Sequence, residues 1–371
     1  MLEMRIVVMG NLEGFGGAQT ACRRLIEFLL EEGHQVGLIV LSDSEKIPSR
    51  TEYCAWKIRV PFSSGRTLQK GLKILLAAAK ARLFGPTIFI SVGLSRSSRM
   101  VARALPSSSW RVAQDFIFGR SSDDPALLGL QASFDALAVQ APSMIKRLSE
   151  NGFHGLPLNW LPCFPEPFRH GFTCADSPSQ PFVQIAYFGR LAANKGLDLL
   201  LKAMAKLLAE DRDLPVLHIW GDGPERERLL ALTHSLKLGP CVEFRGKYPD
   251  GDEGARLMCG YNGIVLPSTG TEGLPLILLE AMAYGLPLLT TNVGAIPDAC
   301  MGNIDSIMVD PSIGGIHSGL QRFIVRFKGG EFSSIRIRAY YESNFGYDAM
   351  GSRWREMLTD PPAFFKGDDK S

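Results

Sequence analysis

Two carboxylates, Glu272 and Glu280, stand with seven residues between them around a loop rich in Gly, Thr and Pro. Glu280 is the one charge in an otherwise apolar run, Leu276–Tyr284. This pattern places Glu272 in a loop and Glu280 on a helix. Pro275 fits the first helical position, and Gly285 supplies the left-handed stop. The N–H groups near Leu274, Leu276 and Ile277 then point out of the helix start. With the helix dipole they make an anion site suited to phosphate. A helix that is apolar all round is normally buried, and a buried carboxylate needs donors. Sugar hydroxyls would serve. The alternative is that Glu280 reaches the rim of the sheet and is solvated.

The matching cations lie earlier in the chain. Strand Val183–Gly189 leads into Arg190, and Lys195 follows five residues on in LAANKG. All strands of a parallel sheet share one C-terminal edge, so this loop and Glu272 belong to the same edge. Arginine offers a fork to a diphosphate and lysine a mobile point charge. Either cation alone reads as a solvated surface charge; together, in this register, they favour a diphosphate site. Gly221–Asp222–Gly223–Pro224 reads as a tight turn that opens a helix with Pro224 at its first position. The backbone of Arg245–Gly246–Lys247, at a strand end, could read the edge of a nucleotide base or be a plain strand-to-helix loop. Gln114–Asp115 ends another strand, at the edge where α/β proteins put ligand contacts. In NLEGFGG, residues 11–17, the pair Gly16–Gly17 lets a ligand approach the backbone closely. The alternative there is a turn that only needs positive φ.

The elements that must hold these residues form two α/β series. In the first, strands are expected at Met4–Gly10, Gln35–Leu41, Thr87–Val92, Trp110–Gln114 and Ala136–Gln140, with helices at Ala18–Glu32, Arg66–Phe84, Ser95–Ala104 and Ser143–Asn151. Cys163–Pro181 holds four prolines and little periodicity and reads as a linker. In the second, strands are expected at Val183–Gly189, Val216–Trp220, Cys241–Phe244, Gly263–Leu266 and Leu288–Thr291. Helices are expected at Leu197–Ala209, Glu225–Lys237, Glu253–Gly260 and Leu276–Tyr284, then near Ile313–Phe327 and Tyr347–Leu358. Pro361–Ser371 reads as frayed. The fold class is α/β: two doubly wound, Rossmann-like domains at 1–164 and 182–344 facing across a cleft, with a linker at 165–181. Helix Arg66–Phe84 carries cations among leucines and alanines. It could lie on anionic lipid; the favoured reading is a sheet-covering helix whose aliphatic face is buried and whose basic face is solvated.

Composition excludes several classes. The 371 residues suit two domains, and 46% apolar with 21% charged residues is the balance of a globular protein. A net charge of +2 makes no case for a nucleic-acid partner. No apolar run approaches the roughly 20 residues of a membrane span, and Met1–Gly10 lacks the shape of a signal peptide. The seven cysteines are scattered and read as reduced thiols of a cytosolic protein. Neither D-x-D string, Asp211–Arg212–Asp213 or Asp250–Gly251–Asp252, is placed to hold a metal and a diphosphate, so no metal is expected. The G-x-x-x-x-G-K-[ST], G-x-S-x-G, H-E-x-x-H and G-x-G-x-x-G motifs are absent. The last of these disfavours a Rossmann oxidoreductase.

The E-x7-E pair at 272–280, FGRL…NKG at 188–196, GDGP at 221–224, LPS…TEGLP…EAMA at 266–283 and the early GG loop resemble the retaining glycosyltransferases of the GT-B fold, the large family-4 group. The resemblance implies transfer of a hexose-type sugar, with retention and without a required metal, from a nucleotide-diphosphate sugar of UDP or GDP type. The acceptor would be a glycan, a lipid-linked sugar or another hydroxyl, in cell-surface polysaccharide, lipopolysaccharide or glycolipid synthesis. Arg190 and Lys195 would hold the diphosphate and stabilise the leaving group. Glu272 would bind donor-sugar hydroxyls, and the amides of Gly273–Leu274, ahead of Pro275, the distal phosphate. Glu280 would take the ribose hydroxyls, Arg245–Gly246 the base, and Gly16 and Gly17 would approach the diphosphate from the other domain. The final helix, within 345–360, commonly crosses back to complete the first domain. Many members have a His–Asp pair where this chain has Gln114–Asp115; Gln114 can hydrogen-bond a donor sugar but cannot act as acid or base. Many also carry an acidic residue where this chain has Gln19. Family habit places such an enzyme in the cytoplasm, with peripheral contact at an anionic inner membrane face. The rival readings are a GT-B epimerase or hydrolase acting on sugar nucleotides, and a non-catalytic donor-binding subunit of a glycan-assembly complex. The oligomeric state has no sequence signal.

Overall fold

Short β-branched and aliphatic runs alternate with helices through the chain, and every strand pairing recorded among the described residues is parallel. Parallel neighbours require crossover connections, which the helices supply. The computed structural model describes residues 3–12, 17–42, 49–61, 67–85, 87–165, 183–249 and 251–366. The chain divides into two compact units, Met1–Phe164 with Met350–Ser371, and Pro165–Ala349.

The first unit holds strands β1 (Arg5–Asn11), β2 (Gln35–Leu41), β3 (Trp56–Val60), β4 (Ile88–Val92), β5 (Trp110–Asp115), β6 (Ala136–Val139) and β7 (Leu158–Trp160), in the order β3-β2-β1-β4-β5-β6-β7. Its first four helices are α1 (Gly17–Glu31), α2 (Thr67–Phe84), α3 (Arg96–Ala104) and α4 (Pro142–Glu150). The second unit holds β8 (Gln184–Phe188), β9 (Val216–Trp220), β10 (Val242–Gly246), β11 (Gly263–Leu266), β12 (Leu288–Thr291) and β13 (Ser306–Val309), in the order β10-β9-β8-β11-β12-β13. Its helices are α5 (Leu197–Ala209), α6 (Arg226–Ser235), α7 (Gly251–Cys259), α8 (Leu276–Ala283), α9 (Ile296–Cys300), α10 (Ile313–Lys328) and α11 (Ser334–Phe345). Strands β4, β6, β11 and β12 are buried at every residue, as strands covered on both faces must be.

Three strands have no counterpart in the sequence reading, and all three are sheet edges: β3, β7 and β13. Edge strands are short and partly exposed, so they lack the continuous apolar run that marks a central strand. Helix α11 was missed for a related reason: its buried residues are only Ile337, Tyr341 and Phe345, a narrow stripe. Cys163 and Phe164, read as linker, are buried in the first unit, where Phe164 stacks on Phe28 at 4.8 Å. Residues 166–181 of the expected linker lie outside the described residues. Cys22, Cys54, Cys163, Cys241 and Cys300 are free thiols, but Cys259 is disulfide-bonded, against the expectation of seven reduced thiols. Scattered spacing carries no sign of a pair made at long range.

Helix α2 packs against β2, β3 and α3 with an aliphatic face, as a sheet-covering helix does. That face is Ile74, Ala77, Ala78 and Ala81, while Leu68, Leu72, Leu75, Leu76 and Leu83 are exposed. The small alanines let the helix backbone approach its neighbours closely, and the leucines are left on the outside.

The chain end is also ordered further than expected. Helix α12 (Tyr347–Thr359) is followed by α13 (Pro361–Lys366), in the stretch read as frayed. Phe364 and Phe365 are buried, and the Phe364 carbonyl accepts from Asn159 at 2.7 Å. Within the first unit, Trp354 is buried and donates to the Pro162 carbonyl at 2.8 Å. Arg355 pairs with Glu32 at 2.7 Å, and Arg353 stacks over Trp160 at 3.8 Å. Trp354→Ala is therefore expected to cost about 3–5 kcal/mol, the usual range for emptying a buried tryptophan site. Denaturant unfolding of the full chain checks this; an unchanged midpoint would show that α12 adds nothing to the first unit's stability.

Candidate functional site

In the second sheet the strand order reverses between β8 and β11, which lie side by side. Doubly wound sheets bind ligands outside the carboxyl ends of the strands at such a switch point. Arg190 and Lys195 follow β8, and Glu272 follows β11. Lys195 Nζ lies 2.6 Å from Glu272 Oε1. The Ser268 hydroxyl donates to the same oxygen at 2.6 Å, and Glu272 is only 8% exposed. The pair opens to solvent on the lysine side, whose side chain is one-fifth exposed. Arg190, five residues before Lys195 in the same loop, is exposed, and its carbonyl accepts from the Tyr187 hydroxyl at 2.8 Å. Burial pushes the Tyr187 phenol well above its ordinary range, and the Glu272 and Tyr248 charges add to this. Tyr187 thus stays a neutral donor that anchors the arginine loop from below.

Backbone contacts fix the two loops to each other. Thr269 and Gly270 donate N–H groups to the Asn194 carbonyl at 2.9 and 3.2 Å. Gly196 sits at φ +66, and a Cβ there would lie 2.0 Å from the Pro267 carbonyl oxygen. On the other side of the Glu272 loop, Gly294 sits at φ +59, and a Cβ would lie 2.3 Å from the Glu272 carbonyl oxygen. Ala295 donates to that same oxygen at 3.0 Å. Both glycines therefore stand where only a residue without a side chain allows the close approach. The GDGP turn does similar work below the arginine loop. Leu191 donates to the Asp222 carbonyl at 3.0 Å, and Glu225 donates back to the Leu191 carbonyl at 3.1 Å. Ser268 and Gly196 enter the sequence reading only as letters of the LPS and NKG motifs, without a role, and Tyr187, Gly294 and this bracing by the turn have no place in it. Their one signal was glycine in the loop after a strand, which does not say what the backbone approaches.

The other expected residues are placed as follows. Leu274 is buried, and Gly273 and Pro275 are half-buried. Pro275 caps α8 in extended conformation, φ −72 and ψ 114, so Leu276 and not Pro275 is the first helical residue. At the other end Gly285 is left-handed at φ +77. Gly285 donates to Met282 O and Leu286 to Ala281 O, which closes the helix in a Schellman motif. Glu280 is half-buried on α8. Burial pushes the phenol of Tyr341, on α11, upward, with the charges of Glu342 and then Glu280 contributing. The carboxylate thus lies within electrostatic reach of α11. Arg245 turns its side chain along β10, pairing with Glu243 at 2.6 Å. The Gly246 carbonyl accepts from Gly221 at 2.6 Å, which ties the β10 loop to the turn under the arginine loop. Helix α6 begins at Arg226 with Glu225 as its cap, so Pro224 belongs to the turn and not to the helix.

Gln114, Asp115 and Gly17 belong to the first unit, and Gly16 lies outside the described residues. Gln114 and Gln140 direct their amides at the buried Cys163 sulfur, at 3.5 and 3.2 Å. Burial pushes that thiol up to about 12. Asp115 is buried, pairs with Arg120 at 2.7 Å and accepts from the Phe116 amide at 2.9 Å. Burial raises its carboxyl, and Arg120 opposes the shift. Among the described residues no cluster of three or more His, Cys, Asp and Glu is arranged to hold a metal ion.

This geometry, a cation–carboxylate pair at the switch point of a parallel sheet, can bind an anion beside a polyhydroxyl group. Residues 183–322 match the family model described as glycosyl transferases group 1. These residues belong to that family. The group 1 domain contains β8 to β13, the Lys195–Glu272 pair and Arg190. A Streptomyces coelicolor exopolysaccharide phosphotransferase is 29% identical over 64% of this chain and 24% of its own length. One human phosphatidylinositol N-acetylglucosaminyltransferase subunit is 31% identical over 45% of this chain and 32% of its own. The matched segment thus covers no more than about a third of either relative. The sucrose-phosphate synthase of Thermosynechococcus elongatus superposes with a TM-score of 0.80 at 19% identity, over 97% of this chain and all of that one. With its two parallel sheets the chain has the GT-B fold, and its residues 183–322 carry the match to the group 1 glycosyl transferases.

Proposed function

We propose that the chain transfers a hexose-type sugar from a nucleotide-diphosphate donor of UDP or GDP type to a hydroxyl acceptor, a glycan or a lipid-linked sugar, with retention and without a required metal. The observation that carries this is the Lys195–Glu272 pair, with Arg190 exposed in the same loop as Lys195, at the switch point of the group 1 domain. Arg190 and Lys195 face the diphosphate and offset the negative charge that grows on it as the sugar leaves, the electrostatic demand of the reaction. Glu272 accepts hydrogen bonds from donor-sugar hydroxyls, and the Gly273–Leu274 amides meet the distal phosphate. Glu280 takes the ribose hydroxyls and the 245–246 backbone the base. The displacement is front-face: the leaving diphosphate receives the acceptor's proton as the new glycosidic bond forms on the side the donor bond occupied.

The polysaccharide and glycolipid names of the relatives support an acceptor in cell-envelope or lipid-linked synthesis. A thermal-shift panel of UDP, GDP, ADP and their sugars tests the donor assignment. A ligand present at 100 times its Kd and bound only to the native state contributes about 2.7 kcal/mol, enough to raise the midpoint by several degrees. A flat panel would overturn the donor site. Product analysis by NMR with candidate acceptors then reads the anomeric configuration; release of free sugar with every acceptor would instead support a hydrolase.

A further inference from the structure

We propose that the N-terminus of α3 holds a phosphomonoester carried by the acceptor. The first sheet reverses its strand order between β1 and β4, which lie side by side. Doubly wound sheets open a crevice for ligands at such a point, and α3 is the helix that follows β4. Four N–H groups at a helix start lack an intrahelical partner. The capping box satisfies two of them here: Ser95 donates its N–H to Ser98 Oγ at 3.2 Å, and Ser98 donates its own to Ser95 Oγ at 3.0 Å. The N–H groups of Arg96 and Ser97 have no partner among the described residues. Ser97 supplies a third donor. It is only 7% exposed, yet its hydroxyl has no hydrogen-bond partner among the described residues, and its oxygen is not sealed from solvent. A largely buried hydroxyl left unpaired by the chain is costly unless something from outside meets it. Helical Cα–Cβ bonds tilt toward the N-terminus, so this hydroxyl is directed to the same place as the two amides.

Charge and space select the ligand. The helix dipole favours an anion, and Arg96 is exposed with no ion-pair partner among the described residues. Asp115, at the end of the neighbouring β5, is already held by Arg120 at 2.7 Å. The turn into the helix leaves room: Gly93 sits at φ +91, and a Cβ there would meet nothing within 4 Å. Gly93 donates to the Gln114 carbonyl at 3.0 Å, which fixes this turn against β5. Three donors, two N–H and one O–H, match the three free oxygens of a phosphomonoester, and the guanidinium adds a charge-assisted contact. A carboxylate or a phosphodiester offers two free oxygens and would leave one donor unmet. The site belongs to the first unit and the Lys195–Glu272 pair to the second. Calling the ligand an acceptor rests on the proposed transfer, in which the phosphate anchors the molecule and leaves its hydroxyl to react; the phosphate site itself rests on α3 alone.

Amide-resolved NMR of the full chain, titrated with sn-glycerol 3-phosphate, glycerol and inorganic phosphate, tests it. The Arg96 and Ser97 amides are expected to shift saturably with sn-glycerol 3-phosphate and not with glycerol. Ser97→Ala and Arg96→Ala should each weaken that binding by roughly 10-fold or more, the usual worth of a hydrogen bond to a charged group. Both should keep the unfolding midpoint, since neither side chain has a hydrogen-bond or ion-pair partner among the described residues to lose. Both should also keep any nucleotide-induced thermal shift. Phosphate bound at Arg190 and Lys195 is set apart by Lys195→Ala, which should leave the Arg96 and Ser97 shifts unchanged. No shift at these two amides, or wild-type affinity in Ser97→Ala, would overturn the site. A response to inorganic phosphate without one to sn-glycerol 3-phosphate would overturn the phosphorylated acceptor. A flat nucleotide panel beside intact α3 shifts would count against the donor site and leave the phosphate site standing.

Discussion

Lys195→Ala is expected to lower the proposed sugar transfer by more than about 10-fold, since a lost charge-stabilising contact in the transition state costs kilocalories. The lysine ammonium is 2.6 Å from the Glu272 carboxylate, which also accepts from Ser268. The substitution therefore has two effects. It removes a cation from the site where a diphosphate would gain charge. It also leaves a largely buried carboxylate without that cation, at a stability cost of about 1–3 kcal/mol. The two are separable. Glu272→Ala should lower transfer comparably, because the sugar loses its acceptor of hydrogen bonds. In the double variant the stability losses should fall short of the sum of the singles, since the unpaired charge is gone. Turnover is measured on protein whose unfolding midpoint shows it is folded at the assay temperature. Near-normal turnover in either folded single variant would remove these residues from the mechanism. Additive stability losses would mean that the pair is not coupled in solution.

The charged half of this site was legible because chemistry-bearing residues sit at strand ends, and central strands announce themselves. IVVMG, IAYF and GIVL are apolar on both faces and LLTT is half so, and the loops after them could be assigned to one sheet edge. What stayed illegible is which loop touches which. Lys195 and Glu272 are 77 positions apart, and nothing in either segment's periodicity pairs them. The edge strands β3, β7 and β13 were missed because exposure dilutes their pattern. Helix α2 was legible as a sheet-covering helix but not in which face it buries. Its leucine stripe and its alanine stripe are both apolar, and the rule that aliphatic faces turn inward does not say which of the two packs. The structure buries the smaller one.

Gly196→Ala should be nearly as damaging as loss of a charged residue, although glycine has no chemistry of its own. The residue is left-handed at φ +66, where an alanine pays about 1–2 kcal/mol. The larger cost is steric. The new Cβ would lie 2.0 Å from the Pro267 carbonyl oxygen and 2.9 Å from Thr269 Cγ2. The oxygen belongs to backbone and cannot swing aside as a side-chain end could. Relief requires the 190–196 loop to part from the 267–272 loop, and those loops carry Lys195 and Glu272. The Asn194 carbonyl, which holds Thr269 and Gly270, would move with them. Gly294 presses on the Glu272 backbone from the other side, so the carboxylate loop cannot retreat without a second clash. We expect a stability loss above about 2 kcal/mol, in the range where strain at a special backbone position falls. Transfer should drop by at least about 10-fold beyond what the unfolded fraction explains. Gly239→Ala is the control: an added Cβ there meets nothing within 4 Å, so midpoint and turnover should stay near wild type. Wild-type stability and turnover for Gly196→Ala would mean that the two loops are not held by this contact, and that the Lys195–Glu272 geometry is set elsewhere.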